Sequence, residues 1–244
     1  LIMEWLRKKG VRVLMYHKVS ILHQDFLTVS CPQLEEQLCY LQRKNYTFIS
    51  LQQFIDYKNN GTPLPHKPVL CTFDDGYLSN FELALPILEK YKAKAVIFVP
   101  TAYIGQTSAW DFNPEYLMSV EQLKALPPHL IELGLHSHQH QNYKHLSFQE
   151  IKQDLEQCLR VFKQLALPFV PAFAYPYGGR PKNASLLGQM KDLFRANGIE
   201  IAFRIGNRIN PFQIKDYFEI NRIDVRGTDS LEAFKRKVRW GKIF

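Results

Sequence analysis

The sequence predicts an α/β fold, with about seven short parallel strands and their crossover helices packed outside. Three observations carry this reading. Short apolar runs alternate with helical segments along the chain. Several of the helical segments open on recognisable capping residues. Polar and titratable residues follow directly on the ends of apolar runs, where parallel α/β folds gather their chemistry. No internal repeat, low-complexity segment or linker interrupts the pattern, and 244 residues suit one domain spanning 1–244. On the residues alone, about seven strands fit either a barrel or an open sheet.

The elements follow in order. Residues 11–16 read as a strand, and 32–44 as a helix with Pro32 in its first turn. Ser50 and Gln53 form a capping box that opens a helix through Tyr57. A buried strand at 68–73 precedes a helix at 78–91, which Pro86 should kink. Residues 95–100 form a strand, and Ser119 with Gln122 caps a short helix. The strand at 130–135 is followed by a long helix that Ser147 and Glu150 cap and that runs through Leu165. Residues 169–174 form a strand, and 184–197 a helix closed by Gly198. Strands at 200–204 and 218–225 lead to a last helix capped by Asp229 or Ser230.

Composition narrows the function. Hydrophobic residues make up 46% and charged residues 22%, an ordinary globular mix. No apolar run reaches the roughly 20 residues that cross a bilayer. Residues 1–10 carry charges, lack an apolar core and lack a small-residue cleavage site, so they do not read as a signal peptide. Cys31, Cys39, Cys71 and Cys158 are scattered, which argues against a zinc ribbon or a disulfide framework. A cytoplasmic location is therefore expected, or an exported one if a signal peptide precedes this chain. The net charge is +8, with Lys235, Arg236, Lys237, Arg239 and Lys242 crowded near one end. They form a solvated helix face, or they attract an anionic partner such as a lipid diphosphate or a membrane surface in peripheral contact. No stacking aromatic and basic motif points to nucleic acid.

The chemistry sits after four strands. Thr72-Phe73-Asp74-Asp75-Gly76 follows one, His136-Ser137-His138-Gln139-His140 a second, Tyr175-Pro176-Tyr177-Gly178-Gly179 a third, and Tyr16-His17 a fourth. Neighbouring side chains on extended backbone point opposite ways, so one aspartate can bind a metal while the other stays free as a base. An Asp-Asp-Gly surface turn is the plain alternative. His136 and His140 have the i, i+4 spacing that shares a face of a helical turn, while an extended segment would group His136, His138 and His140. Two histidines and one carboxylate with open positions suit Zn2+, and also Co2+, Ni2+ or Fe2+.

At these residues the sequence resembles the polysaccharide deacetylase family (carbohydrate esterase family four), over roughly residues 11–225. The resemblance implies a distorted (β/α) barrel of about seven parallel strands. It also implies Asp74 as general base and Asp75, His136 and His140 as metal ligands. The family's third motif keeps Pro176-Tyr177-Gly178 here but has no arginine. Arg222 is the candidate to replace it and brace Asp74. The family's late catalytic histidine is also missing, because no histidine follows His145. Met15-Tyr16-His17 matches the branch resembling poly-N-acetylglucosamine deacetylases, which carries that histidine on the first strand. His17 is then the acid, expected across the open metal positions from Asp74. The Tyr177 backbone N–H becomes an oxyanion donor. Pro176, Trp110 and Arg222 are grouped as substrate-site residues.

The activity implied is metal-dependent hydrolysis of an N-acetyl amide on an amino sugar, polysaccharide or lipid-linked saccharide. Two rivals stand beside it. One is a deformylase or other small linear or cyclic amide hydrolase on the same fold. The other is a carbohydrate-binding domain without catalysis, which would have no need of a base, an acid and a metal site together.

Overall fold

In a computed structural model describing residues 9–241, the apolar runs pair as seven parallel strands that close on themselves. These are β1 (Arg12–Tyr16), β5 (Pro68–Asp74), β6 (Ala95–Val99), β7 (Ile131–Leu135), β8 (Ala172–Ala174), β9 (Ile201–Ile205) and β10 (Ile220–Asp224). The order is β1-β10-β9-β8-β7-β6-β5, and β5 pairs back onto β1 with Leu14 opposite Cys71. The barrel is thus the form the sheet takes.

Three further strands are too short for any hydrophobic periodicity to announce them. β2 (Lys18–Ser20) and β3 (Thr28–Ser30) pair with each other, and β4 (Thr47–Phe48) adds to the start of β5. β8 is shorter than its apolar run because Pro171 has no N–H to give to a ladder. The N-terminal stretch read for a signal peptide falls at 1–8 within the undescribed residues, as does Lys242 of the basic cluster.

Helices α1 (Cys31–Arg43), α2 (Leu51–Asn60), α3 (Leu85–Lys90), α4 (Val120–Ala125), α5 (Phe148–Gln164), α6 (Ala184–Ala196) and α7 (Leu231–Trp240) connect the strands. The three capping boxes all form, and Ser230 rather than Asp229 caps α7. Asp229 accepts instead from Lys237 at 2.6 Å, while Lys235 pairs with Glu232 and Arg239 donates to the Tyr40 hydroxyl. Much of the basic cluster is therefore engaged within the chain. Where a kink is expected at Pro86, the helix opens one turn earlier as a π-helical segment at Asn80–Ala84, in which the Leu85 amide donates to the Asn80 carbonyl. Proline cannot supply the regular bond, and the widened turn before it absorbs the mismatch.

The strand alternation splits the core in two. Leu14, Tyr16, Cys71, Phe73 and Ile97 face outward against Leu34, Leu38, Leu155 and Phe162 of the helices. Val13, Leu70, Val96, Phe98, Ala172, Ala174 and Phe203 fill the barrel, closed from below by Phe54 and Ile55 of α2. Each fully buried Val, Leu or Phe among these stabilises the fold by about 1.5–3 kcal/mol. Gly134 makes room for Phe98, since a Cβ there would stand 2.5 Å from its ring. Because Leu70, Thr72 and Asp74 share the inner face of β5, packing and chemistry form one continuous column.

Candidate active site

Asp74 ends β5 inside the top of the barrel, 2% exposed. Arg222, from the inner face of β10, meets it with a two-pronged contact. Its Nη1 donates to Oδ1 at 2.6 Å and its Nη2 to Oδ2 at 2.7 Å. Nη1 also reaches the Thr72 hydroxyl at 3.3 Å. Burial pushes the Asp74 pKa up, but Arg222, with His136 and His17 nearby, outweighs it and holds the carboxyl below its ordinary range. Arg222 thus occupies the bracing place that the third motif leaves empty. Its side chain is fully buried behind Asp74, so its grouping with substrate-site residues is corrected.

Asp75 begins the turn after the strand, with φ 73°. Its Oδ1 lies 3.2 Å from His136 Nε2 and 3.0 Å from His140 Nε2. The two imidazoles converge, but no helical turn brings them together. The segment after β7 is irregular, with Ser137 at φ 64° and His140 at φ 52°. These two left-handed residues fold the loop back so that both Nε2 atoms point inward, and His138 turns away to meet the Thr101 hydroxyl at 2.9 Å.

The donor set fits a divalent metal. One ligand atom from each of Asp75, His136 and His140 lies within 4.8 Å of the others, and all three residues are buried. Asp75 Oδ1 has no hydrogen-bond partner, an orphaned carboxylate oxygen aimed at two imidazole nitrogens. Burial raises the Asp75 pKa, yet His140 and His136 hold it well below the ordinary carboxylate value. A cation at that place acts in the same sense. His136 Nδ1 is 2.7 Å from the Ala174 carbonyl, which fixes its tautomer and leaves Nε2 free to ligate.

The loop geometry depends on a residue that sequence reasoning missed. Asp154 of α5 is buried, and its carboxylate accepts from the amides of His138 and Gln139 at 2.9 Å and from the Tyr143 hydroxyl at 2.7 Å. A single aspartate within a helix reads as part of a solvated face, so nothing in the sequence singles it out. Asp154→Ala is expected to weaken metal binding about 10–100-fold, measured by competition with a chromogenic chelator. Unchanged affinity would mean that the loop holds its shape without this carboxylate.

His17 lies in the same cleft, with its Nε2 3.9 Å from Asp74 Oδ2. Ser79 and Asn80, at the start of the π-helical segment, clamp the backbone at and just after His17. Asn80 Nδ2 donates to the His17 carbonyl at 2.7 Å, and the Val19 amide donates to the Ser79 hydroxyl at 3.1 Å. No sequence motif marks Asn80 for this place.

The cleft holds about 530 Å³. Trp110 lines it and stacks on His140 with ring centroids 3.9 Å apart. Tyr103 packs edge-on against Trp110, and Tyr177 edge-on against His140 at 4.9 Å. The Trp110 loop is pinned by Asp111, which accepts from the Tyr77 and Ser108 hydroxyls at 2.7 Å and pairs with the buried Lys18 at 3.0 Å. Tyr177 is 56% exposed and left-handed at φ 58°, on the rim of the cleft. Pro176 is buried within the turn and does not line the cleft, which corrects its grouping with substrate contacts.

The chain is similar in sequence and fold to several known proteins. Over 138 residues the chain is 30% identical to the poly-beta-1,6-N-acetyl-D-glucosamine N-deacetylase of Escherichia coli (strain K12), covering 52% of this chain and 20% of that protein. The enzyme of the same name from Staphylococcus aureus (strain MRSA252) is 29% identical over 160 residues, 62% of this chain and 54% of that one. The match therefore spans only about half, or less, of these curated relatives. Among solved structures, IcaB from Ammonifex degensii superposes with a TM-score of 0.78 at 24% identity, over 96% of this chain and 97% of that one. The Streptococcus pyogenes deacetylase PplD in complex with acetate gives 0.77 at 22% identity, over 95% and 99%. These likenesses establish the fold. The family profile described as polysaccharide deacetylase matches residues 61–193, more than half of the chain and all of Asp74, Asp75, His136 and His140. The chain belongs to the polysaccharide deacetylase family.

Proposed function

We propose that the protein is a metal-dependent N-deacetylase that hydrolyses the acetamide of an N-acetylated amino sugar within a polysaccharide or lipid-linked saccharide. The observation that carries this is the juxtaposition of Asp74, paired with Arg222, and the orphaned Asp75 oxygen facing His136 and His140. A binding module would gain nothing from burying such a set. The relatives' shared substrate name supports N-acetylglucosamine as the sugar.

Asp75, His136 and His140 would hold the divalent ion. When bound, that ion polarises the amide carbonyl and acidifies water toward a pKa of ~7. Asp74 accepts the proton of the attacking water, and Arg222 keeps it ionised and in one orientation. The Tyr177 amide, at the cleft rim, is the candidate donor to the developing oxyanion. His17 gives a proton to the sugar nitrogen as the C–N bond breaks, so acetate and a free amine leave. Trp110 and Tyr177 flank the site through their ring contacts with His140. The test is amine release from N-acetylglucosamine oligomers by protein treated with chelator and then reloaded with Zn2+, Co2+ or Ni2+. Activity that vanishes and returns with metal supports the reading, and release that ignores the chelator contradicts it.

A further inference from the structure

The mechanism leaves one side of the cleft mouth without a task. Phe26 lines that mouth and is 52% exposed, and Phe112, also of the cleft lining, is 99% exposed. An aromatic ring at the mouth of a cleft is apolar surface that a ligand entering the cleft can cover.

Phe26 is also held in place. Asp25 Oδ1 accepts from the amides of Leu27 and Thr28 at 2.8 and 2.7 Å, closing the loop that presents the ring. That loop rests directly on Gly227, where a Cβ would strike the carbonyl oxygens of Thr28 and Asp25. The contact brings Arg226 under Phe26, its guanidinium carbon 4.2 Å from the ring centroid. Arg226 is fixed in turn, with Nε donating to Asp224 Oδ2 at 2.7 Å, while the Asp224 amide donates to Asn207 Oδ1 at 2.9 Å. An aromatic ring backed by a fixed cation forms a rigid platform whose ordering cost is already met before binding.

We propose that Phe26 and Arg226 form a subsite for the sugar unit next to the one being deacetylated, so that the protein recognises at least two consecutive residues of an acetylated polymer. The platform is continuous with the cleft that holds Asp74 and His17, and a cleft of about 530 Å³ encloses a ligand of disaccharide size. The flat C–H face of a pyranose packs on an aromatic ring while its hydroxyls stay polar, as aromatic packing geometry favours. The Arg226 side chain, still 37% exposed, and Asn207 can meet those hydroxyls. This rests on the deacetylase reading of the same cleft.

The test compares binding of monomeric and tetrameric β-1,6-linked N-acetylglucosamine by calorimetry, using metal-loaded protein inactivated by Asp74→Asn. The tetramer is expected to bind about tenfold more tightly than the monomer, and Phe26→Ala to erase that advantage while leaving the monomer affinity unchanged. Because Phe26 is exposed, its removal spares the core, and Arg226→Gln gives a second probe from beneath the ring. A tetramer preference that survives both substitutions, or no preference at all, overturns the subsite. Turnover by the unaltered enzyme decides the deacetylase reading separately. Tight Phe26-dependent binding without amine release would sink that reading and leave the subsite standing. Amine release with no Phe26 effect on binding would do the reverse.

Discussion

Asp74→Asn should leave the metal site loaded and lower turnover by about 10²–10⁴. The substitution takes away the proton acceptor but touches none of Asp75, His136 and His140. The amide that replaces the carboxylate still offers an oxygen to Arg222, but the buried guanidinium loses its countercharge. Breaking a buried ion pair typically costs about 3–5 kcal/mol, so the variant should also melt at a lower temperature. Metal content by atomic emission, measured beside amine release, separates the two roles. A variant that loses its metal yet recovers activity in excess metal would show that the two aspartates have been exchanged.

His17→Ala is expected to cost about 10²–10⁴ in kcat on amide substrates while metal affinity stays near that of the unaltered protein. An amine is a poor leaving group without a proton, and His17 is placed beside Asp74 with its backbone clamped by Asn80 and Val19 by Ser79. An activated acetyl ester expels its own stable anion, so the same variant should hydrolyse it with little loss. Parallel kinetics on an N-acetylated sugar and an activated ester give the comparison. Equal losses on both substrates would place the proton donor elsewhere.

Much of this was legible in the sequence, and the exceptions share a cause. The capping boxes at Ser50, Ser119 and Ser147 announce their helices because they are local and reciprocal. The strand ends announce the chemistry because Asp74, Asp75, His136, His140 and His17 each follow an apolar run. Arg222 could be sought once a motif position stood empty. What the sequence does not show is backbone at positive φ. The spacing of His136 and His140 reads as a helical turn, and only the left-handed Ser137 and His140 reveal how the imidazoles meet. Burial of polar groups is equally hidden, since Pro176 and Arg222 look like cleft residues and lie behind it, while Asp154 looks solvated and holds the histidine loop. Phe26 and Arg226, 200 positions apart in the chain, meet only through the close approach of a loop to Gly227.

The most direct test of the metal centre is a zinc-loaded crystal read by anomalous scattering at the zinc edge. One ion should appear between Asp75, His136 and His140, with donor distances of about 2.0–2.2 Å and Asp74 outside the coordination sphere. An ion bound through Asp74 instead of Asp75, an ion at another place, or three side chains that diverge around an empty position would contradict the account.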